Sequence, residues 1–441
     1  MSFAFNKAHV FFLLDKTLHI IGRVKLHNDE HDTMFPNAVV AYAADIRNRR
    51  LVHISAALNP DNSEGTVCVI SEGPDAAIFS WGSNSHLQQK PVIRRSRRFR
   101  PDDLTQVFSG HPIRRGREHF QGETPVSSAC TSSSILVVTQ EGGLWYTGKC
   151  PIGPNTYNAA PQQHSCYPTL IPPLLFDGTK IIQVAAGFDH LLAVCKKGFV
   201  WAWGANDYDQ LGAATDDKFI SNPMKLDHML YEGDLMRAVS AGNKHSAGIS
   251  VEGMCYEWGR KHALQEACLS PPSKSADHTN ASELYIESRF KQVCCGSTFT
   301  ISLDTRGRVW SNGVGFVGEM GLGRLKLSDN CMLVPGFPAG VVISEISCGP
   351  NNCGAITTQG DVYTWGRRQI DTQNHVRNGL RSQSASCIFD DAPVCIKKMH
   401  RFSRDAEIAF SMGSVHTLNV GPSWLASVPN EIFKCILRPP H

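Results

Sequence analysis

The sequence predicts an all-β protein in which seven hairpin units form one closed array, and three observations carry that prediction. Glycines recur in triplets, the second eleven and the third seventeen residues after the first: Gly187, Gly198, Gly204; Gly242, Gly253, Gly259; Gly296, Gly307, Gly313; and Gly349, Gly360, Gly366. Tryptophans follow the same register, Trp81, Trp203, Trp258 and Trp365 one residue before the third glycine and Trp145, Trp201 and Trp310 three before it; only Trp424 falls outside. A last copy begins at Gly413 and stops after one strand near Val420, while Phe3-Ala4-Phe5-Asn6 reads like the missing second strand, Trp201-Ala202-Trp203-Gly204.

Each unit reads as a hairpin. Around Gly187, apolar Leu191 to Cys195, a turn at Lys196-Lys197-Gly198 and alternating Phe199 to Trp203 describe two strands folded back on each other. An isolated hairpin is marginal in water, so a chain built from them stacks copies. Residues two apart on a strand share a face, so each unit presents a bulky aromatic to one interlayer space. Two further copies are degraded, as Thr131, Gly142, Gly148 and as Gly65, Ala76, Gly82.

Taken in order, residues 1–6 are the ring-closing strand. Val10 to Leu14, Leu18 to Ile21 and Val39 to Ala43 suggest outer strands. His27 and His31 have a spacing that suits a metal on a helix, yet Asn28, Asp29 and Glu30 between them describe a solvated loop. Residues 65–82 form the first inner hairpin. The longer segment 83–125 carries Lys90, Arg94, Arg95, Arg97, Arg98, Arg100, Arg114, Arg115 and Arg117. Such a run is a nuclear-import signal or a contact for phosphate or an acidic partner, or else a solvated loop balanced by Asp102, Asp103 and Glu118.

Units follow at 126–181, 182–236, 237–290 and 291–343, with Pro- and Ser-rich connections at 149–173 and 269–283. The unit from Gly349 to Gly413 is longer, with a polar insertion at Arg367 to Ser386. Domain organisation is therefore one array over 1–420 and a tail over 421–441. In the tail, Leu425, Val428, Ile432, Ile436 and Leu437 approach one helical stripe, which predicts a short helix packed on the ring. Val428-Pro429-Asn430-Glu431-Ile432 resembles the opening of an F-box, but the chain ends too early for a complete one.

Composition narrows the function. A formal net charge of +3 over 441 residues directs the chain as a whole to neither nucleic acid nor an acidic substrate. Of fifteen cysteines, Cys130, Cys295 and Cys348 occupy the place of Ala186, Ala241 and Met412 before the first glycine, which predicts reduced core thiols in a reducing compartment. Val10 to Leu14 is too short to span a bilayer or serve as a signal core, so a soluble intracellular monomer without membrane contact is expected. No phosphate-cradling loop with Lys-Ser/Thr and no nucleophile elbow occurs, so no catalytic residue, metal or cofactor is assigned.

Gly-x-x-His at Gly187–His190, Gly242–His245 and Gly413–His416, with Trp203-Gly204 and Gln210-Leu211-Gly212 downstream, resembles the repeat of the regulator of chromosome condensation family. Trp258-Gly259 and Trp365-Gly366 repeat the second element. Kelch and tryptophan-aspartate propellers are less similar, since the chain has no Trp-Asp dipeptide and a single Gly-Gly pair, Gly142-Gly143. The resemblance implies a seven-bladed β-propeller of four-stranded blades closed by strands from both chain ends. Ser134, Phe299 and Asn352 replace the histidine in other copies, so His190, His245 and His416 read as structural, each bonding neighbouring backbone, and the tryptophans as core.

Three roles follow. The first is a noncatalytic platform whose rim loops hold a protein partner. The second, implied by the family's founding member, is guanine-nucleotide exchange on a small GTPase of the Ran type, which needs a protein wedge rather than a nucleophile. The third is an accessory chromatin or nucleic-acid contact through the basic stretch 90–117, with residence in the nucleus, the cytoplasm or both.

Overall fold

The computed structural model describes residues 9–14, 17–22, 49–57, 66–83, 108–131, 133–152, 164–213, 215–226, 234–259, 288–323, 326–370, 386–397, 409–410 and 415–416. The readings placed on Phe3–Asn6, His27 and His31, Val39–Ala43, 269–283 and the tail 421–441 lie outside them.

Those residues form seven antiparallel sheets, apart from one short parallel pairing. Strands β1 (His9–Leu14) and β2 (Thr17–Gly22) make a hairpin. Blade I comprises β3 (Leu51–Ala56), β4 (Thr66–Ser71), β5 (Ala77–Ser83) and β6 (Phe108–Gly116). Blade II comprises β7 (Pro125–Cys130), β8 (Ser134–Thr139), β9 (Leu144–Lys149) and β10 (His164–Leu170). Blade III has β11 (Ile181–Ala186), β12 (His190–Cys195), β13 (Val200–Ala205) and β14 (Phe219–Lys225). Blade IV has β15 (Met236–Ala241), β16 (His245–Ser250) and β17 (Cys255–Gly259). Blade V has β18 (Phe290–Cys295), β19 (Phe299–Asp304), β20 (Val309–Gly315) and β21 (Lys326–Leu333). Blade VI has β22 (Ile343–Cys348), β23 (Asn352–Thr357), β24 (Val362–Ile370) and β25 (Ser386–Lys397). Finally β26 (Ala409–Phe410) pairs with β1 at Phe12↔Phe410 and Leu13↔Ala409, so strands from both ends of the chain share one sheet. The short β27 (Val415–His416), which holds His416, lies parallel to β24 rather than in a hairpin of its own, and nothing in the structure explains the departure.

In blades I to VI the second strand is buried along its whole length, as in His190-Leu-Leu-Ala-Val-Cys195. A strand covered on both faces needs no polar alternation, which is why Ile135–Val138 and Leu191–Cys195 read as continuous apolar runs. The core is a series of interblade layers. Trp145 closes the layer between blades I and II, and Trp201 with Trp203 the next, against Leu136, Val138 and Leu144. Trp258 packs on Leu192 and Val194, Trp310 on Ala247 and Ile249, and Trp365 on Ile301 and Leu303. The expected stacking of one unit's aromatic on the next is thus observed.

Inner strands are also clamped side by side. Gln183 holds both backbone groups of Val239 (3.0 and 3.1 Å), and Gln292 does the same to Ile346 (2.9 and 2.8 Å). His53 Nε2 meets Ser128 O at 2.9 Å.

Four readings are corrected. The connections at 83–125 and 149–173 each contain an outer strand, β6 and β10, and Arg367–Ile370 continue β24 rather than open the polar insertion. Outer strands β6, β10, β14 and β25 contain Pro112, Pro168, Pro223 and Pro393, and each pairs through a register shift. Proline cannot donate to a ladder and is confined to edges and bulges, so these segments show no alternating pattern. In blade I the residue opposite the third glycine is Thr66, not Cys68, because Ser71↔Ala77 adds a cross-strand pair. Gly65 is therefore not the counterpart of Gly187.

Candidate interaction face

Because the strands of each blade run up and down in sequence, alternate connections emerge on opposite faces. The turns 187–189 and 242–244 stand on one face, and the third strands of blades I, II, III, V and VI end toward that face, where residues 206–213 follow β13 and 316–323 follow β20. The other face carries the short turns 72–76, 140–143, 196–199, 251–254, 305–308 and 358–361 and the links between blades. Among the described residues, the third strand of each of these blades thus ends on the face of the glycine turns.

The turns lock neighbouring blades together. A Cβ at Gly187 would stand 2.5 Å from Gly242 O and overlap the His190 ring, so only glycine lets the two blades meet there. Phe188 N donates to Gly242 O (3.1 Å), Asn243 N to Ser297 O (3.3 Å) and Ser297 N to Pro350 O (3.1 Å), a backbone chain from blade III to blade VI. His190 and His245 are fully buried, and their partners are side chains of the next blade rather than the backbone expected from sequence. Ser246 Oγ donates to Gln210 O (2.7 Å), so it accepts from His190 Nε2–H at 2.8 Å. His245 Nε2 pairs with Thr300 Oγ1 at 3.2 Å. Burial pushes the His190 pKa below its ordinary value, outweighing the opposing pull of Asp189.

Loop 206–218 is internally stapled. The buried Asn206 side chain accepts from Leu211 N (3.1 Å) and donates to Asp217 O (3.2 Å), while buried Gln210 accepts from Tyr208 N (2.9 Å). Glu319 occupies the position of Gln210 in blade V, six residues past the third glycine, and its carboxylate accepts from Phe316 N (3.0 Å) and Val317 N (2.6 Å). The third glycine explains itself here. A Cβ at Gly259 would stand 2.8 Å from Gln210 Cα, and one at Gly366 3.0 Å from Glu319 Cα. Each loop thus sits against the third glycine of the following blade, and Trp365 Nε1 donates to Glu319 O at 2.9 Å.

At the junction of blades III and IV, Lys244 forms an ion pair with Asp189. Its ammonium also stands 5.8 Å from the Phe188 ring centre and 5.5 Å from that of Tyr208. Burial pushes the Asp189 carboxyl up, but His190 and Lys244 outweigh it and hold it below its ordinary value. Phe316 projects from blade V, 57% exposed. Sequence reasoning missed Phe188, Asp189, Tyr208, Lys244, Phe316 and Glu319. The first four occupy variable positions inside or beside the repeat motif, where the glycine register alone attaches no meaning to them.

Of the basic stretch, Arg114, Arg115 and Arg117 fall among the described residues. Arg94, Arg95, Arg97, Arg98 and Arg100 belong to the connection 84–107, outside the described residues. Strand β6 runs from Phe108 to Gly116, with Arg114 about 20 Å along it from Phe108. Arg115 is only 2% exposed and donates to Ser80 Oγ (3.1 Å) and Cys166 O (2.9 Å), with burial lowering its pKa to about 10. It is a core residue, not a patch residue. Arg114 pairs with Glu118 at 3.2 Å, and Arg117 folds back onto Gly122 O at 2.9 and 2.7 Å. Among the described residues, no group of three or more His, Cys, Asp or Glu is placed to hold a metal ion, no disulfide forms, and no helix is long and apolar enough to cross a membrane.

The fold and its turn network define a β-propeller built from glycine-anchored hairpin repeats. The hairpins of blades III and IV are regulator of chromosome condensation repeats: two family models described as "Regulator of chromosome condensation (RCC1) repeat" match residues 181–210 and 197–249. The chain is 30% identical over 188 residues to "Probable E3 ubiquitin-protein ligase HERC4" of Homo sapiens, covering 42% of this chain and 17% of that protein. It is 25% identical over 303 residues to "RCC1-like G exchanging factor-like protein" of Mus musculus, covering 65% and 63%. Among solved structures, Prp20p of Saccharomyces cerevisiae, whose structure was reported with its binding properties to Gsp1p and histones, superposes with a TM-score of 0.58 at 15% identity, over 90% of this chain and 88% of that one. That likeness shows the fold. The chain spans about a sixth of the first relative's length and under two thirds of the second's.

Proposed function

We propose that the protein is a noncatalytic interaction platform that holds a protein partner on the face of the Gly-x-x-His turns. The observation that supports this reading is that the third strands of the described blades end on that face, where the loops after β13 and β20 are stapled by buried Gln210 and Glu319. Loops fixed before binding lose little conformational freedom on association, so their aromatic side chains are suited to act as anchors. Tyr208→Ala and Phe316→Ala are expected to lose the same bound proteins in pull-downs, with Leu174→Ala, on a link of the opposite face and 87% exposed, as the control that retains them. Loss in the control alone, or in none of the three, refutes the assignment of the face.

A second reading, guanine-nucleotide exchange on a Ran-type small GTPase, is supported by the likeness to the exchanging-factor-like mouse protein. Exchange requires preferential binding of the nucleotide-free GTPase, which a rigid face supplies without a nucleophile. Nucleotide-release assays on a panel of small GTPases separate the two readings: a platform leaves release rates unchanged. Nuclear residence and chromatin contact belong to Arg94, Arg95, Arg97, Arg98 and Arg100 in this account. Replacing the first four by Ala is expected to shift the protein out of the nucleus, and an unchanged distribution contradicts that part.

A further inference from the structure

Blade VI brings two thiols together at the inner end of the interaction face. Gly349 N donates to Asn352 O at 2.8 Å, closing the hydrogen-bonded pair at the turn. The next pair along, Cys348↔Cys353, is therefore a non-hydrogen-bonded one. In such pairs the Cα atoms stand about 4.5 Å apart, inside the range of about 4.4–6.8 Å that a disulfide spans. The two sulfurs are 3.3 Å apart. The same pair is Ala56/Val67, Cys130/Ile135, Ala186/Leu191, Ala241/Ser246 and Cys295/Thr300 in blades I to V, so only blade VI carries cysteine on both strands.

Each thiol proton has another acceptor. Cys348 Sγ donates to Cys294 O at 3.8 Å and Cys353 Sγ to Glu319 O at 3.3 Å. The sulfurs also meet each other, and either thiol can donate to the other. Glu319 is the residue whose carboxylate holds the backbone of Phe316 and Val317, and its carbonyl receives two donors, the Cys353 thiol and Trp365 Nε1.

We propose that Cys348 and Cys353 form a reversible cross-strand disulfide on exposure to a peroxide, and that bond formation loosens the Phe316–Glu319 loop of the interaction face. Cys348 is the less enclosed residue of the pair, 9% exposed against 0% for Cys353, and is taken as the first to react. The Cys348 thiolate attacks one peroxide oxygen and the O–O bond breaks, giving a sulfenic acid and water. The Cys353 sulfur then attacks Cys348 Sγ, forming S–S as S–O breaks and a second water leaves. Two thiols lose two electrons in total, hydrogen peroxide is reduced to two waters, and both thiol protons end in water. Disulfide exchange with a dithiol reverses the step. Burial holds both thiols protonated, so the reaction is slow at neutral pH and accelerates as pH rises. An oxidised Cys353 has no S–H to donate, which leaves Glu319 O with Trp365 alone.

Formation of the bond does not depend on the proposed function; only its meaning for partner binding rests on that reading. The test treats the purified full chain with hydrogen peroxide, then alkylates it after denaturation and maps the peptides. Cys348 and Cys353 are expected to escape alkylation together and to regain it after dithiothreitol. A Cys294–Cys348 linkage, oxidation confined to one sulfur, or full alkylation of both overturns the proposal. Hydrogen exchange at the Phe316 and Val317 amides is expected to rise roughly fivefold in the oxidised protein, as for loss of one ordinary hydrogen bond. Cys353→Ser keeps a hydroxyl for Glu319 O and is expected to show no such rise under peroxide. A disulfide that forms without faster exchange overturns the coupling to the loop.

Discussion

Burial favours the uncharged ring of His190: Nε2 bonds Ser246, and Nδ1 stands 3.9 Å from Asp189 Oδ1, beyond hydrogen-bond reach. His53 is held in the same state, its pKa lowered by burial from 6.5 to about 4. A histidine whose folded pKa is depressed binds fewer protons folded than unfolded between those values, so stability is full above pH 6.5 and falls as pH drops toward 4. His53 is partly reached by solvent along its inner strand, which reduces the effect to about 1–2 kcal/mol. Denaturant titrations from pH 7 to 4.5 are expected to show this decline, and His53→Gln to flatten part of it; an unchanged slope contradicts the assignment. Gly259 has φ +83°, and its Cβ would meet Gln210 Cα and Lys244 O, both at 2.8 Å. Gly259→Ala is accordingly expected to cost about 2–4 kcal/mol in chemical denaturation, more than most single substitutions.

At the scale of elements, hairpins and outer strands were unequally legible. Middle strands such as Ser134–Thr139 and their partners announce themselves because burial on both faces demands unbroken apolar runs, and a positive φ at Gly198 or Gly253 demands glycine. The outer strands β6, β10, β14 and β25 pair on one side and bend around proline, so their sequences follow neither a period of two nor an apolar run. The interaction face was legible only as variable connections. Its fixed residues, Asp189 and Lys244 above all, become visible once blades III and IV are juxtaposed, since no pattern within one repeat relates residues 55 apart. The clamps between inner strands were likewise hidden. Gln183→Leu strands both backbone groups of Val239 and is expected to destabilise the protein by about 2 kcal/mol. Its effect should add to that of Gln292→Leu, which acts between different blades. Strong coupling between the two would show that the clamps do not act locally.

At the scale of the whole molecule, seven sheets each too thin to stand alone obtain their core from the layers between them, with β1 and β26 joining the two ends of the chain in one sheet. Such an arrangement leaves the faces free to diverge: within a blade, the turn between second and third strands is short on one face, and the chain leaves the third strand on the other. A single asymmetry between those faces therefore underlies the proposed binding. The most direct measurement is hydrogen exchange of the protein alone and bound to the partner that Tyr208→Ala and Phe316→Ala fail to retain. Protection confined to 187–189, 206–218, 242–244 and 316–323 is the predicted result. Protection at 72–76, 140–143, 196–199 and 251–254, with the face of the glycine turns unchanged, would contradict it.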